Sequence, residues 1–346
     1  MKYKKMALVM ALGVGLSACN NQQPAENNTK TEVSEETNNE KVDKKVENTN
    51  QNMESVSVYA SFFPIYNLTK QIAGDKFDVK SFTNLKTESH GWEPSAKDIA
   101  ELSNSQVMFI NGAGMEEWEE SLESSSDIEL VNTTKDVELI KGSHDHDHEH
   151  EEEPTQEHHH GHEDNHEHHH HGEFDPHTWL SPKNGIAQAK VIAEKLSEID
   201  PANRDYYMDN YKKIEEELNA MIDEYTEKFE NLDNKNFLVS HQAFGYLAHD
   251  FDLNQMALTN LTSTEDADAK TLKDAVDGAK NLGINTIFYE MGGSDKSAKT
   301  IADEIGATTV PLNTLEFATD EELNDDTSYQ NLIKYNLEEL YKSMEK

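Results

Sequence analysis

The sequence predicts a two-lobed α/β fold, each lobe a roughly four-stranded parallel sheet with helices, the lobes joined by one long helix. Short apolar runs alternate with helical patterns up to residue 131 and again after residue 236. That alternation is the mark of parallel sheets built from strand–helix units. Between the two blocks, a stretch of about thirty residues carries apolar side chains at helical spacing. At 1.5 Å per residue it would be on the order of 45 Å long, enough to span two small domains. The chain has 346 residues, a length that admits one or two domains.

The N-terminus lies outside this pattern. Lys2, Lys4 and Lys5 precede an apolar run from Met6 to Leu16, followed by Leu-Ser-Ala-Cys at 16–19. A basic start and a short apolar stretch read as a secretory signal, residues 1–18. The Leu-Ser-Ala-Cys end resembles a bacterial lipobox, which implies cleavage before Cys19 and lipid on its sulfur. Residues 19–53 are Asn, Gln, Glu, Lys and Thr with almost no large apolar side chain. Such a segment cannot bury enough surface to offset chain entropy, so it is expected to be a disordered tether.

The first lobe is expected over 54–200. Val56–Phe63 reads as a buried strand, and Pro64 opens a helix ending near Gly74. Phe77–Asn84 is the second strand, and Ser95 caps a helix reaching about Leu102. Val107–Ile110 is the third strand, followed by a helix carrying Trp118 and Leu122, and Ile128–Val131 is the fourth. Residues 144–171 hold no apolar side chain and are rich in His, Asp and Glu, so they read as a loop. Pro182–Ile199 is an amphipathic helix, broken at Asp200-Pro201.

The long connecting helix is expected over 201–232, with Tyr207, Tyr211, Ile214, Leu218, Met221, Ile222 and Tyr225 in its stripe. A coiled coil fits less well, because the stripe is short and tyrosine-rich. The second lobe, 233–346, offers strands at Phe237–Ser240, Gln255–Leu258, Thr286–Tyr289 and Thr308–Pro311. Helices are expected near 242–250, 268–282 and 295–305.

Composition narrows the function. The formal charge of −38 argues against nucleic acid, whose phosphates need Lys and Arg, and enriches cations near the surface. Cys19 is the only cysteine, so a soft-metal site must be built from His and carboxylate. Outside the His-rich loop, His90 follows the second strand, His177 sits in Phe-Asp-Pro-His-Thr-Trp, and His241 ends the first strand of the second lobe. His249 reads as a helix-surface residue. In open α/β sheets, ligands bind beyond the carboxyl ends of strands. Two carboxylates compete for a fourth position there: Glu316 after the last strand and Glu290 at the end of the preceding one. Three imidazoles and one carboxylate would suit tetrahedral zinc.

Three segments carry a resemblance: Ser89-His-Gly-Trp-Glu-Pro-Ser, Phe174-Asp-Pro-His-Thr-Trp-Leu-Ser-Pro and Ser240-His-Gln-Ala-Phe-Gly-Tyr. They resemble the histidine motifs of the metal-binding solute-binding proteins of bacterial ABC importers, the zinc and manganese family, over residues 55–346. The resemblance implies two α/β lobes on one rigid helix with metal in the interlobe cleft. By motif it makes His90, His177 and His241 metal ligands and Glu316 the acidic fourth, with Glu290 in a supporting role. Thr314 stands where many members have Pro. Manganese members replace one His with a carboxylate; His241 departs from that, which favours zinc.

The resemblance thus implies an extracellular receptor that captures Zn2+, its transported ligand, and delivers it to an ABC permease and its ATPase. It would be a monomer, held by lipid on Cys19 at the outer face of the cytoplasmic membrane, with 144–171 collecting zinc beside the cleft. Affinity is expected to fall below about pH 6, where free imidazoles gain protons. Three rivals remain open: a manganese or iron receptor of the same fold, a surface adhesin, and a zinc hydrolase. The hydrolase would need an open coordination position, and the sequence has no His-Glu-x-x-His helix.

Overall fold

Two parallel sheets repeat one strand order. In the first, β1 (Ser57–Ala60), β2 (Asp78–Ser81), β3 (Val107–Ile110) and β4 (Glu129–Asn132) lie in the order β2-β1-β3-β4. In the second, β5 (Asn236–His241), β6 (Asn254–Thr259), β7 (Thr286–Glu290) and β8 (Thr308–Leu312) lie in the order β6-β5-β7-β8. The structure is a computed structural model and describes residues 57–142, 173–261, 267–319, 322–323 and 327–345. The signal sequence, Cys19, the tether and the His-rich segment 144–171 lie outside the described residues. Met53–Lys346 form one compact unit.

The strands read from the sequence are present, the first two shorter than expected. β1 ends at Ala60 because the chain turns into α1 (Phe63–Ala73), whose φ is set early by Pro64. Phe62 and Phe63 stay buried, but as the N-cap and first residue of α1 rather than in the sheet. Ser95 caps α2 (Ala96–Glu101) in a reciprocal capping box with Asp98. Trp118 is the residue before α3 (Glu119–Ser125) rather than part of the helix. Pro311 lies in β8, an edge strand, where a missing N–H costs no ladder bond.

The connector is present as one long helix entered through a 3-10 turn. α4 (Pro182–Ile199) ends at Asp200, Pro201–Asn203 form a 3-10 turn, and α5 (Arg204–Glu230) runs for 27 residues, about 40 Å. Its stripe, Tyr207, Tyr211, Ile214, Leu218, Met221, Tyr225 and Phe229, is buried along the whole length. At one end Tyr207 meets Phe77 of the first lobe at 5.8 Å between ring centroids. At the other, Phe229 meets Phe251 at 5.5 Å and Tyr341 at 6.0 Å, both in the second lobe. Each such aromatic or aliphatic burial stabilises by roughly 1.5–3 kcal/mol, so the helix is fixed to both lobes. The remaining helices are α6 (Gly245–Asp250), α7 (Ala269–Leu282), α8 (Lys296–Ile305) and α9 (Tyr329–Met344). Among the described residues no helix is long and apolar enough to cross a membrane.

The last helix, α9, is absent from the sequence reading and has a structural role. It returns from the second lobe to the first: Tyr329 N–H donates to Asn67 Oδ1 of α1 at 2.8 Å, and Asn67 Nδ2 donates to Thr327 C=O at 3.1 Å. Gly185 in α4 admits the Tyr329 ring, into which a Cβ would collide. One apolar core therefore runs from Val58 and Ile65 through α5 to Phe237, Val239 and Leu312.

Candidate metal centre

Four side chains from both lobes meet beyond the carboxyl ends of the strands. His90 comes from the loop after β2, His177 from the segment before α4, His241 from the last position of β5, and Glu316 from the loop after β8. Their ligand atoms all lie within 4.8 Å of one another. His177 Nε2 is 3.1 Å from both His90 Nε2 and His241 Nε2. Glu316 Oε1 is 3.5 Å from His90 Nε2, 3.5 Å from His177 Nε2 and 3.8 Å from His241 Nε2. Tetrahedral bonds of about 2.0–2.1 Å place neighbouring donor atoms roughly 3.3 Å apart, which matches this cluster. One N–H on His177 cannot serve both imidazole neighbours at once, whereas a central cation serves all four.

The neighbours fix how each ligand points. Asp175 Oδ1 accepts from His177 Nδ1 at 2.8 Å and from the His177 backbone N–H at 2.9 Å, which turns the Nε2 lone pair toward the cluster. Asn111 holds the chain on both sides of His177. Its Nδ2 donates to Pro176 C=O at 2.9 Å, and its Oδ1 accepts from Thr178 Oγ1 at 2.7 Å and from Gln188 Nε2 at 2.9 Å. Glu116 in turn accepts from the backbone N–H groups of Asn111 at 2.7 Å and Gly112 at 2.9 Å. Burial pushes the Glu116 carboxyl up to about 7 against these hydrogen bonds.

Charge is concentrated where water is scarce. Burial acts to lower the His177 pKa, but the hydrogen bond to Asp175, the Glu316 carboxylate 3.5 Å away and the charges of both outweigh it and raise the ring to about 9. Glu316 shows the converse. Burial alone would raise it, yet the His177 and His90 rings beside it hold its carboxyl well below the usual carboxylate range. The metal-free cleft therefore carries a proton on His177 across neutral pH. The paired carboxylates favour the imidazolium, so proton competition for the cleft is expected to set in above the pH 6 of free imidazole.

Each residue singled out from the sequence can now be placed. The structure brings together His90, His177, His241 and Glu316. Glu290 lies beside them but turns aside, accepting from Thr314 Oγ1 at 2.6 Å. Burial, and then the charge of Glu316, push the Glu290 carboxyl up to about 7. His249 is exposed on α6. Asp175 lay inside a quoted motif without a role; its spacing of two residues from His177 is the signal that could have found it.

Known proteins resemble this chain over most of its length. A family model described as zinc-uptake complex component A, periplasmic (ZnuA), matches residues 58–343. The high-affinity zinc uptake system protein ZnuA of Bacillus subtilis (strain 168) is 35% identical over 294 residues, which is 84% of this chain and 88% of that one. The laminin binding protein Lmb of Streptococcus agalactiae, described as bifunctional with adhesin and metal transporting activity, superposes with a TM-score of 0.70 at 28% identity. That match covers 84% of this chain and 99% of that one. The Zn(II)-bound ZnuA-like domain of Streptococcus pneumoniae AdcA superposes with a TM-score of 0.69 at 28% identity, covering 84% of this chain and all of that one (100%). With the four converging side chains all inside the matched span, the chain belongs to the family of zinc-uptake complex component A proteins.

Proposed function

We propose that this protein is a receptor that captures Zn2+ between its lobes and hands it to an ABC permease for import. His90, His177 and His241 supply three Nε2 atoms and Glu316 a carboxylate oxygen. The observation that carries this reading is the convergence of those atoms, five of their six pairs 3.1–3.8 Å apart and all within 4.8 Å of one another. Three imidazoles and one oxygen suit zinc better than manganese, which favours oxygen-rich octahedral sites. The family is a transport component, and four protein ligands leave no open position for a hydrolytic water. Zinc is the cargo, so the site must also release it. Release requires a state with lower zinc affinity, which docking on the permease and its ATPase would favour.

The proposal extends to residues outside the structure. Lipid on Cys19 would hold the body at the outer face of the cytoplasmic membrane, as a monomer on the 19–53 tether. The lobes would be 54–200 and 233–346, joined through 201–232. The histidines of 144–171 would collect zinc at weaker sites beside the cleft, since ordering a loop around a metal costs chain entropy.

The test is a zinc titration against a competing chelator, using mature protein with and without residues 144–171 and with His90→Ala, His177→Ala and His241→Ala. One tight site should survive the deletion and be lost in each alanine variant. Loss of the tight site on deletion alone would make the loop the receptor and sink the assignment. The likeness to the laminin binding protein supports a second reading, surface adhesion. It is tested by direct binding of the mature protein to laminin, and absence of binding removes it.

A further inference from the structure

We propose that Trp179 is a positioning residue for Glu316, acting across the lobe boundary through its indole N–H. This inference rests on the zinc-site reading above. Trp179 follows His177 by two residues in the first lobe and is fully buried. Its Nε1–H donates to the carbonyl oxygen of Thr314 at 2.7 Å, in the second-lobe loop that carries Glu316. The same ring packs 5.3 Å from the His177 ring and edge-on to Phe62 at 4.8 Å, centroid to centroid. Its backbone carbonyl accepts from the Tyr329 hydroxyl of α9. One side chain thus touches a histidine ligand and the loop of the carboxylate ligand at once.

The loop needs such a hold. Leu315, immediately before Glu316, has φ +59°. A non-glycine residue in this left-handed region costs roughly 1–2 kcal/mol and persists only where its surroundings impose it. Three contacts impose it here. Asn313 Oδ1 accepts from Leu315 N–H at 2.8 Å, Thr314 Oγ1 donates to Glu290 at 2.6 Å, and Trp179 holds the Thr314 carbonyl. The first two lie within the second lobe and travel with it. The third reaches across to the lobe that carries His90 and His177, where Ser89 Oγ also donates to the Glu316 carbonyl at 3.4 Å and the Leu85 carbonyl accepts from Ala318 N–H at 2.6 Å; of these three cross-lobe bonds, the Trp179 bond lies next to the left-handed Leu315. The Thr314 carbonyl is in a buried residue, so without the indole N–H its acceptor is left unpaired and the loop gains a reason to turn. Cargo geometry is thereby linked to lobe closure: when the lobes part here, the Trp179 bond is among those stretched, and it is the one that bears on the Thr314–Leu315 turn behind the carboxylate.

The experiment is a double-mutant cycle on zinc affinity, read by competing chelator, with the mature protein, Trp179→Phe, Glu316→Gln and the double variant. Trp179→Phe keeps an aromatic ring and loses the N–H; it should weaken zinc by about tenfold, the range for unpairing one buried acceptor. The double variant should bind zinc no more weakly than Glu316→Gln alone, because a misplaced carboxylate and an absent one are equivalent. Multiplying losses, or wild-type affinity in Trp179→Phe, would overturn the proposal. Should Trp179→Phe fail to fold, as judged by thermal unfolding of the metal-free protein, replacing Trp179 with benzothienylalanine removes only the N–H and decides the same question. If Glu316→Gln and His177→Ala both bind zinc like the wild type, the zinc-site reading itself has failed, which is a different outcome from the failure of Trp179.

Discussion

Asp175 grips His177 twice, accepting from the ring Nδ1–H at 2.8 Å and from the backbone N–H at 2.9 Å through the same oxygen. The ring is thereby fixed in direction before any metal arrives, and once the proton on Nε2 is displaced the other stays on Nδ1, facing Asp175. Removing this partner should therefore weaken zinc without removing a ligand. Asp175→Asn is expected to lower zinc affinity by roughly 10–100-fold, the usual loss for an outer carboxylate on a ligating histidine. Chelator competition measures it, and an unchanged affinity would show that His177 is oriented by Asn111 and its neighbours alone.

Glu316 and Glu290 offer a sharper contrast, since both lie at the carboxyl end of the same sheet, Glu290 closing β7 and Glu316 in the loop after β8. Glu316→Gln should cost more zinc affinity than Asp175→Asn. Glu290→Gln, which keeps an acceptor for Thr314, should cost less than about tenfold, the low end of outer-partner effects. Equal losses would mean that both carboxylates bind the ion.

Proton release follows from His177. Its metal-free pKa of about 9 lies above the ordinary 6.5, so zinc displaces its proton throughout the neutral range. Affinity should rise about tenfold per pH unit between pH 7 and 8. A flat profile there would contradict the pairing of His177 with Asp175 and Glu316.

The same shifts set the stability of the metal-free fold. A raised His177 contributes stability that is complete below pH 6.5 and lost as pH rises through 9. Glu116 and Glu290, both raised to about 7, lose theirs between 4.5 and 7. Glu316 is depressed, so its contribution is present above 4.5 and lost as pH falls below that. Denaturant midpoints of metal-free protein should therefore decline from pH 5 to pH 9, and zinc should reverse the trend. Midpoints that rise with pH would show that the cleft is not charged in this way.

Gly185 tests the tie between the lobes. Replacing glycine by alanine inside a helix ordinarily stabilises by up to about 1 kcal/mol. Here the new methyl meets Tyr329, which anchors α9 to the Trp179 carbonyl. Gly185→Ala is expected to destabilise by about 1–3 kcal/mol, as overpacking does, seen as a lower denaturation midpoint.

Most of the fold was legible because parallel strands buried on both faces leave continuous apolar runs, as Val107–Ile110 does. Boundaries slipped where a turn was set by tertiary packing: Phe62 and Phe63 extend an apolar run in sequence but belong to the start of α1. The three histidines stood out as candidates by following strands or by their Pro and aromatic neighbours, and only the family resemblance of their motifs made them ligands. Spacing alone could not choose between Glu316 and Glu290, since both follow strands to the same end of the sheet and the choice depends on the Thr314 hydroxyl turning Glu290 aside. The part played by α9 and the Trp179–Thr314 bond spans 135 residues of chain, and no local pattern records a contact of that kind.

The central claim is one tetrahedral ion between the lobes. X-ray absorption at the zinc edge, on full-length mature protein loaded with one equivalent, tests it most directly. The account predicts three imidazole nitrogens and one oxygen at about 2.0–2.1 Å, the tetrahedral zinc distances, with one imidazole lost in His241→Ala. A first shell of four imidazoles, or a six-coordinate oxygen-rich shell that ignores His241→Ala, would contradict it.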